Sequence, residues 1–176
     1  PLTIDVNDVN DAPSLSVGTP GITEGASLTL TAAMVNGTDQ DGDALTYTVG
    51  SLSGGITVEV DGVVKNTFTH AELARGDVEI IHDGSEGATA SLSIEASDGV
   101  AFSAPQTLNL GVTNVNDNPT LTLNATSVNE GASLVLTNTM VTGLDADGDA
   151  LTYTVANAVN VTLVVDGSPA SSFTQD

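Results

Sequence analysis

The sequence predicts an all-β chain folded as small sandwiches of short strands set in tandem. Three observations carry that prediction. Apolar and polar residues alternate over short runs such as Leu45-Thr46-Tyr47-Thr48-Val49 and Leu92-Ser93-Ile94-Glu95-Ala96, the period of a half-buried strand. About seven such runs, broken by Asp-Gly turns, fit into roughly 100 residues, the spacing of a β-sandwich. The pattern then recurs. Glu24-Gly25-Ala26-Ser27-Leu28 returns as Glu130-Gly131-Ala132-Ser133-Leu134, and Asn10-Asp11-Ala12-Pro13 returns as Asn116-Asp117-Asn118-Pro119, both at an offset of 106 residues. Val60-Asp61-Gly62 and Phe68-Thr69 return at an offset of 105, so one residue is lost in a loop.

The repeat divides the chain into three parts. Residues 1–11 read as the last strand and connector of a preceding repeat, because Leu2-Thr3-Ile4-Asp5-Val6 corresponds to Leu108-Asn109-Leu110-Gly111-Val112. Residues 12–117 form repeat 1, and residues 118–176 form an incomplete repeat 2. Within repeat 1, strands are expected at 14–17, 27–31, 45–49, 56–60, 63–64, 78–81, 90–96 and 106–113. Asp61-Gly62 supplies the hairpin turn. Thr69-His70-Ala71-Glu72 is a capping-box pattern with Gly76 as its stop, so one or two helical turns are expected there. Leu28, Leu30, Leu45, Tyr47, Val49, Ile80, Leu92, Ile94, Leu108 and Leu110 are the expected inward-facing residues. The connectors Asp8-Val9-Asn10-Asp11-Ala12-Pro13 and Asn114-Val115-Asn116-Asp117-Asn118-Pro119 end in Pro, which cannot continue a central ladder and favours an extended residue before it.

Composition narrows the function. Asp plus Glu is 23 against 2 for Lys plus Arg, a net charge of −21. Nucleic acid as a partner is excluded, because phosphate contacts need basic residues, and an anionic membrane surface is excluded on the same ground. The 40% hydrophobic content and its strand-like alternation argue against disorder. Aromatics are 3%, so the cores must be built from Val, Leu, Ile and Ala. There is no Cys to staple a small domain. No signal peptide or membrane-inserting run is visible, and the abrupt start and end read as a piece of something longer.

The chemistry concentrates in two loops. Asp39-Gln40-Asp41-Gly42-Asp43 and Asp145-Ala146-Asp147-Gly148-Asp149 each place three carboxylates at alternating positions before a strand. Charges held that close repel one another unless a cation sits among them. Multiple carboxylates suit Ca2+, which takes six to eight oxygens, better than Mg2+, which keeps its waters. A solvated turn is the competing reading of Asp-Gly loops, and it is preferred at Asp61-Gly62, Asp83-Gly84 and Asp166-Gly167. Asp43 and Asp149 are either ligands or turn-closing residues.

These motifs together resemble the cadherin repeat. The connectors are similar to its Asp-x-Asn-Asp-x-x-Pro linker, Asp39-x-Asp41 to its Asp-x-Asp motif, and Glu95-Ala96-Ser97-Asp98-Gly99 to its Ala-x-Asp-x-Gly segment. Phe68 to Leu73 and Ile81 to Gly84 resemble the variant found in chondroitin-sulfate-proteoglycan repeats and in large bacterial adhesins. The resemblance implies Greek-key sandwiches with Ca2+ bound between successive repeats. It implies Glu24, Asn116, Asp117, Asp145 and Asp147 as ligands at one junction, with Asp149 beside them. Asp8, Asn10, Asp11, Asp39, Asp41 and Asp98 are implied at the upstream one, with Asp43, and Glu130 at a junction further on. For Glu24 and Glu130 an exposed strand-end role is the alternative. Asn114 stands where the first connector has Asp8, and the family's Leu-Asp-Arg-Glu motif is absent, so fewer ions per junction are expected.

The expected function is a calcium-rigidified extracellular extender of a cell-surface adhesin or filament, partnered by its neighbouring repeats. Two alternatives are a directly adhesive ligand- or carbohydrate-binding module, and a filament subunit that exchanges its N-terminal strand with like chains. An enzyme is not expected: the Ser residues lack a His-centred motif, and His70 and His82 lie in different elements. His70 reads as a surface residue, His82 as an ordinary strand-end residue, and Tyr47 and Tyr153 as core aromatics.

Overall fold

A computed structural model describes every residue except Pro1, Val6, Asp8 and Asp176. The chain divides into two compact units, Pro1–Val115 and Asn116–Asp176. Unit 1 holds β1 (Ser14–Val17), β2 (Gly21–Thr23), β3 (Ser27–Thr29), β4 (Val35–Thr38), β5 (Thr46–Ser53), β6 (Ile56–Val60), β7 (Val63–Val64), β8 (Thr67–Thr69), α1 (His70–Arg75), β9 (Val78–His82), β10 (Thr89–Ser97) and β11 (Gln106–Thr113). They form a sandwich. One sheet has the order β2-β11-β10-β5-β8, the other β3-β9-β6-β7, and β1 pairs with β4. Apart from the neighbouring pairs β6-β7 and β10-β11, consecutive strands change sheets, as in a Greek key.

Alternation does the sorting. In β10, Ala90, Leu92, Ile94 and Ala96 are buried, while Ser91, Ser93 and Glu95 between them keep solvent contact. Ile56, Val58, Val60, Val78 and Ile80 meet them from the facing sheet. All the expected inward residues are buried except Leu28, which is partly so. Three short strands, β2, β4 and β8, escape the sequence reading because three or four residues are too few to show a period. β5 also runs past Val49. Leu92 pairs with Leu52 but Ile94 pairs with Val49, so β5 carries an extra residue at this point. Such a bulge breaks the alternation from which a strand is read.

The predicted helical turns are α1. Thr69 caps it, accepting from the Glu72 amide at 3.2 Å, while the Glu72 carboxylate accepts from the Thr69 amide at 2.7 Å and hydroxyl at 2.8 Å. These donors hold the Glu72 carboxyl below the usual carboxylate range. Leu73 is buried, and Gly76 ends the helix at φ 79°.

The outward face of the five-stranded sheet follows from the same register. Thr69, Thr46 and Ser97 form one cross-strand row, and Thr67, Thr48 and Glu95 the next. Ser53, Ser91 and Asn109 form a third, with Ser93 opposite Thr107 nearby.

Unit 2 repeats the first part of this plan in β12 (Thr120–Leu123), β13 (Val141–Leu144), β14 (Thr152–Thr154), β15 (Val164–Val165), β16 (Ser168–Pro169) and β17 (Ser172–Thr174). Thr120 faces Leu144 as Ser14 faces Thr38, and Tyr153 faces Phe173 as Tyr47 faces Phe68. The two ring pairs stack with centroids 5.1 and 4.9 Å apart. Among the described residues unit 2 has no strands answering to β2, β3, β9, β10 and β11. Leu121 and Leu123 are therefore exposed, and Tyr153 is only half-buried, against full burial for Tyr47. The expectation of a core role holds for Tyr47 and is too strong for Tyr153.

One packing rule recurs in both units. A Cβ on Gly37 would lie 2.6 Å from the Tyr47 hydroxyl and 2.9 Å from Leu45 Cδ1, and one on Gly143 would lie 2.6 Å from both Tyr153 Oη and Leu151 Cδ1. The Gly143 amide donates to Tyr153 Oη at 2.9 Å. His70, read from sequence as a surface residue, is instead half-buried with Nδ1 2.9 Å from Tyr47 Oη. Gln175 holds the same place beside Tyr153.

Gly37→Ala is expected to destabilise unit 1 by about 1–3 kcal/mol, the usual cost of overpacking, read as a lower urea midpoint. A second expectation concerns Glu72. Its lowered folded-state pKa contributes stability above the usual carboxylate pKa, lost as pH falls through the folded value. Thr69→Ala removes the hydroxyl donor, so the Glu72 carboxyl, followed by NMR, should titrate at higher pH than in the parent.

Candidate metal centre

The acidic loop follows β4 and precedes β5. Asp39 Oδ1 accepts from the backbone amides of Asp41 at 3.0 Å and Asp43 at 3.2 Å, so Asp39 builds the turn. Gly42 takes φ 81°, which a glycine adopts without strain. Turn formation uses only one of the two carboxylate oxygens. Asp39 Oδ2 is buried and has no hydrogen-bond partner. Asp39, Asp41 and Asp43 each bring an oxygen within 4.8 Å of the others.

The connector closes over this loop. The Asp11 amide donates to Asp41 Oδ2 at 2.7 Å, and Asn10 Nδ2 donates to Asp98 Oδ2 at 3.0 Å. Asp98 Oδ1 accepts from the Val100 and Ala101 amides, each at 2.7 Å. The Ala101 amide, then the Asn10 side chain and the Val100 amide hold the Asp98 carboxyl below its ordinary range, so it is a carboxylate at neutral pH. Asn10, Asp11, Asp39, Asp41, Asp43 and Asp98 thus gather at one end of unit 1. Asp8, named with them from sequence, lies outside the described residues.

Unit 2 builds the same corner. The Asp117 amide donates to Asp147 Oδ2 at 2.7 Å, matching Asp11 and Asp41, and the Asp149 amide donates to Asp145 Oδ1 at 3.0 Å, matching Asp43 and Asp39. Asn116 Nδ2 bonds the Asp117 carbonyl at 2.9 Å, as Asn10 does that of Asp11 at 3.1 Å. Asp43 and Asp149 have their amides in the turn, while their carboxylates remain available.

Glu24 lies at the other end of unit 1. It is buried, 8% exposed, and its Oε2 accepts from the Val115 amide at 2.8 Å where the chain leaves β11. The exposed strand-end alternative for Glu24 therefore does not hold. Glu130 is exposed, because no departing segment covers it among the described residues. Asn114 Nδ2 donates to Glu86 Oε2 at 2.8 Å. An amide can make that bond and a carboxylate cannot, which accounts for Asn114 where the other connector has Asp8. Glu86 was not legible as part of this end, since it sits in a loop 28 residues from its partner.

His82 is likewise more than a strand-end residue. It is buried, and its Nδ1 accepts from the amides of Gly84 at 3.1 Å and Gly25 at 3.4 Å, tying down the turn that carries Glu24.

The residues present fit a hard divalent cation. The donors are carboxylate and amide oxygens, the buried Asp39 Oδ2 lacks a partner, and few cations are available elsewhere in the chain to neutralise the cluster. Asp41→Ala should raise amide exchange at Asp11 toward its intrinsic rate, and Asp147→Ala should do the same at Asp117. Hydrogen-exchange NMR checks both; unchanged protection would mean that these carboxylates do not hold the connectors.

Comparison with solved structures finds weak likenesses in proteins built from many domains. Domains 4–9 of the surface-layer protein SbsC are 14% identical, with 99% of this chain and 28% of that one covered and a TM-score of 0.35. Extracellular cadherin domains 3–6 of protocadherin gamma B2 are 15% identical over 93% of this chain and 39% of that one, with a TM-score of 0.43. Domains 5–6 of SbsC are 14% identical over 97% and 86%, with a TM-score of 0.34. The chain thus spans well under half the length of the first two. No curated protein matches it. The model of the cadherin-like family matches residues 13–112. That match covers more than half of the chain, and the protein belongs to the cadherin-like family.

Proposed function

We propose that this chain is a calcium-stiffened structural repeat of an extracellular protein, an extender that holds other parts of a surface adhesin or filament at a distance. The observation that carries the reading is the unpartnered, buried Asp39 Oδ2 beside Asp41 and Asp43. Leaving a buried polar group unsatisfied costs about 1–3 kcal/mol, and more when it is charged. A solvated turn accounts for Oδ1 and leaves that cost standing; a bound cation removes it.

In this reading Asp39, Asp41 and Asp43 hold the ion, with Asn10, Asp11 and Asp98 around it, and Asp145, Asp147, Asp149, Asn116 and Asp117 do the same in repeat 2. Calcium supplies positive charge and flexible oxygen coordination. The protein supplies a preformed turn and a connector already bonded to it. Acid also stands at the far end of the sandwich in Glu24 and Glu86, so an array of such repeats presents carboxylates on both sides of each connector. Binding at a connector then removes its freedom to bend. The role is mechanical, with no reaction. No helix among the described residues is long and apolar enough to cross a membrane, and the family match supports an extracellular setting.

Extracellular calcium modules bind at about 0.1–1 mM. At about 10 mM calcium, one site of that affinity adds roughly 1.4–2.7 kcal/mol to stability. Calorimetry is expected to show a higher unfolding temperature in calcium than in chelator for the parent, and a smaller gain for Asp39→Ala. Small-angle scattering should show a more extended, narrower ensemble with calcium. Identical scattering profiles and identical unfolding temperatures in the two conditions would sink the proposal.

A further inference from the structure

We infer that the outward face of the five-stranded sheet of unit 1 is a docking surface for an uncharged polysaccharide. The observation is one of charge and chemistry together. The chain carries a net charge of −21, yet on the cross-strand rows of this face Glu95 is the one charged side chain among the described residues. The rest are hydroxyls and an amide, among them Thr46, Thr48, Ser91, Ser93, Thr107 and Asn109. The other sheet does not share this character, since Glu59 and Glu79 stand directly opposite each other on its outward side.

The hydroxyls are held in place before any ligand arrives. Ser53 and Ser91 bond each other at 2.8 Å, and Ser93 Oγ accepts from the Ser51 amide at 2.9 Å and its hydroxyl at 3.3 Å. Each hydroxyl has one donor and two acceptor positions, so these pairings leave capacity facing solvent. Each cross-strand row joins three strands, about 10 Å across at about 4.8 Å spacing, with side chains every two residues along each strand. Short, fixed side chains lose little freedom on binding.

The occupant follows by complementarity. An anionic polymer finds no Lys or Arg on these rows and meets the field of the whole acidic chain. A second copy would bring the same charge, and the rows offer no apolar centre for a dry protein interface. An uncharged, hydroxyl-rich polymer matches the face group for group. Exposed Phe102, bridged to Ser97, is the one aromatic beside these rows among the described residues; the other contacts are weak hydroxyl pairings, and linked repeats add them along one polymer strand. The rows do not include the acidic loops, so this surface does not rest on the calcium reading.

Native affinity electrophoresis tests it, because so acidic a chain migrates well. The chain is run in gels cast with dextran, hydroxyethyl cellulose or galactomannan, with alginate as the anionic arm, each in calcium and in chelator. Retardation relative to a polymer-free gel is expected with at least one neutral polymer and not with alginate. It should persist in chelator, whether or not calcium binding holds. Thr107→Glu with Asn109→Glu, at exposed positions of β11, should abolish it, and Thr107→Ala with Asn109→Ala should weaken it, with thermal melts confirming that both variants fold. Retardation absent from all three neutral gels, equal in alginate, or unchanged in the folded glutamate variant would overturn the inference. So would sedimentation showing a dimer that the glutamate variant dissolves, which would assign the face to a second copy.

Discussion

Carboxylates held by backbone amides are the interaction on which this structure depends. With two cationic side chains for 23 acids, ion pairing cannot organise the charge. Among the described residues the one ion pair is Arg75 with Asp77 on the surface, where such pairs contribute little. Peptide N–H groups take the cations' place. Glu24 accepts from Val115, Asp39 from Asp41 and Asp43, Asp41 from Asp11, Glu72 from Thr69 and Asp98 from Val100 and Ala101. Hydrogen bonds to ionised acceptors are the stronger kind. They let acid be structural at turns and connectors without basic partners.

That solution is local, and it leaves oxygens over. Each carboxylate has two oxygens, and a turn commits one of them. The remainder at the connector end of unit 1 converge from three positions, and one is buried. A metal function and a turn function are therefore not rivals at Asp39; the turn aims the oxygen that a cation would use. The same corner is built twice from the same hydrogen bonds, with Asp117 and Asp147 repeating Asp11 and Asp41. Concentration of acid in loops, connectors and one sheet leaves Glu95 as the one charged side chain on the outward rows of the other sheet among the described residues, although the chain as a whole is highly charged.

The core is small, and it works by close approach rather than by bulk. Its largest side chains, Tyr47 and Phe68, stack on one another. The Tyr47 hydroxyl is accommodated because Gly37 has no Cβ and His70 offers a partner. Burial pushes the Tyr47 hydroxyl pKa up, partly opposed by its bond to the Gly37 backbone. Unit 2 keeps the glycine and the tyrosine and replaces the histidine with Gln175. Steric fit at the glycine recurs, while the polar partner changes between repeats.

The sequence by itself determined the sandwich class, the repeat, the helical turn with its cap and the acidic loops. These follow from local rules: a period of two, an offset near 106, a capping box, and an Asp-Gly turn whose residues are neighbours in the chain. Tertiary structure alone decided which oxygen is left without a partner, that Asn114 reaches Glu86, that His82 anchors the Glu24 turn, and that His70 serves Tyr47. Those pairings join residues from 23 to 57 positions apart, and no local pattern records them. The bulge in β5 and the short strands β2, β4 and β8 were hidden for a related reason: too few residues keep the alternation long enough to be seen, and their pairing partners, supplied only by the folded sheet, are what make them strands.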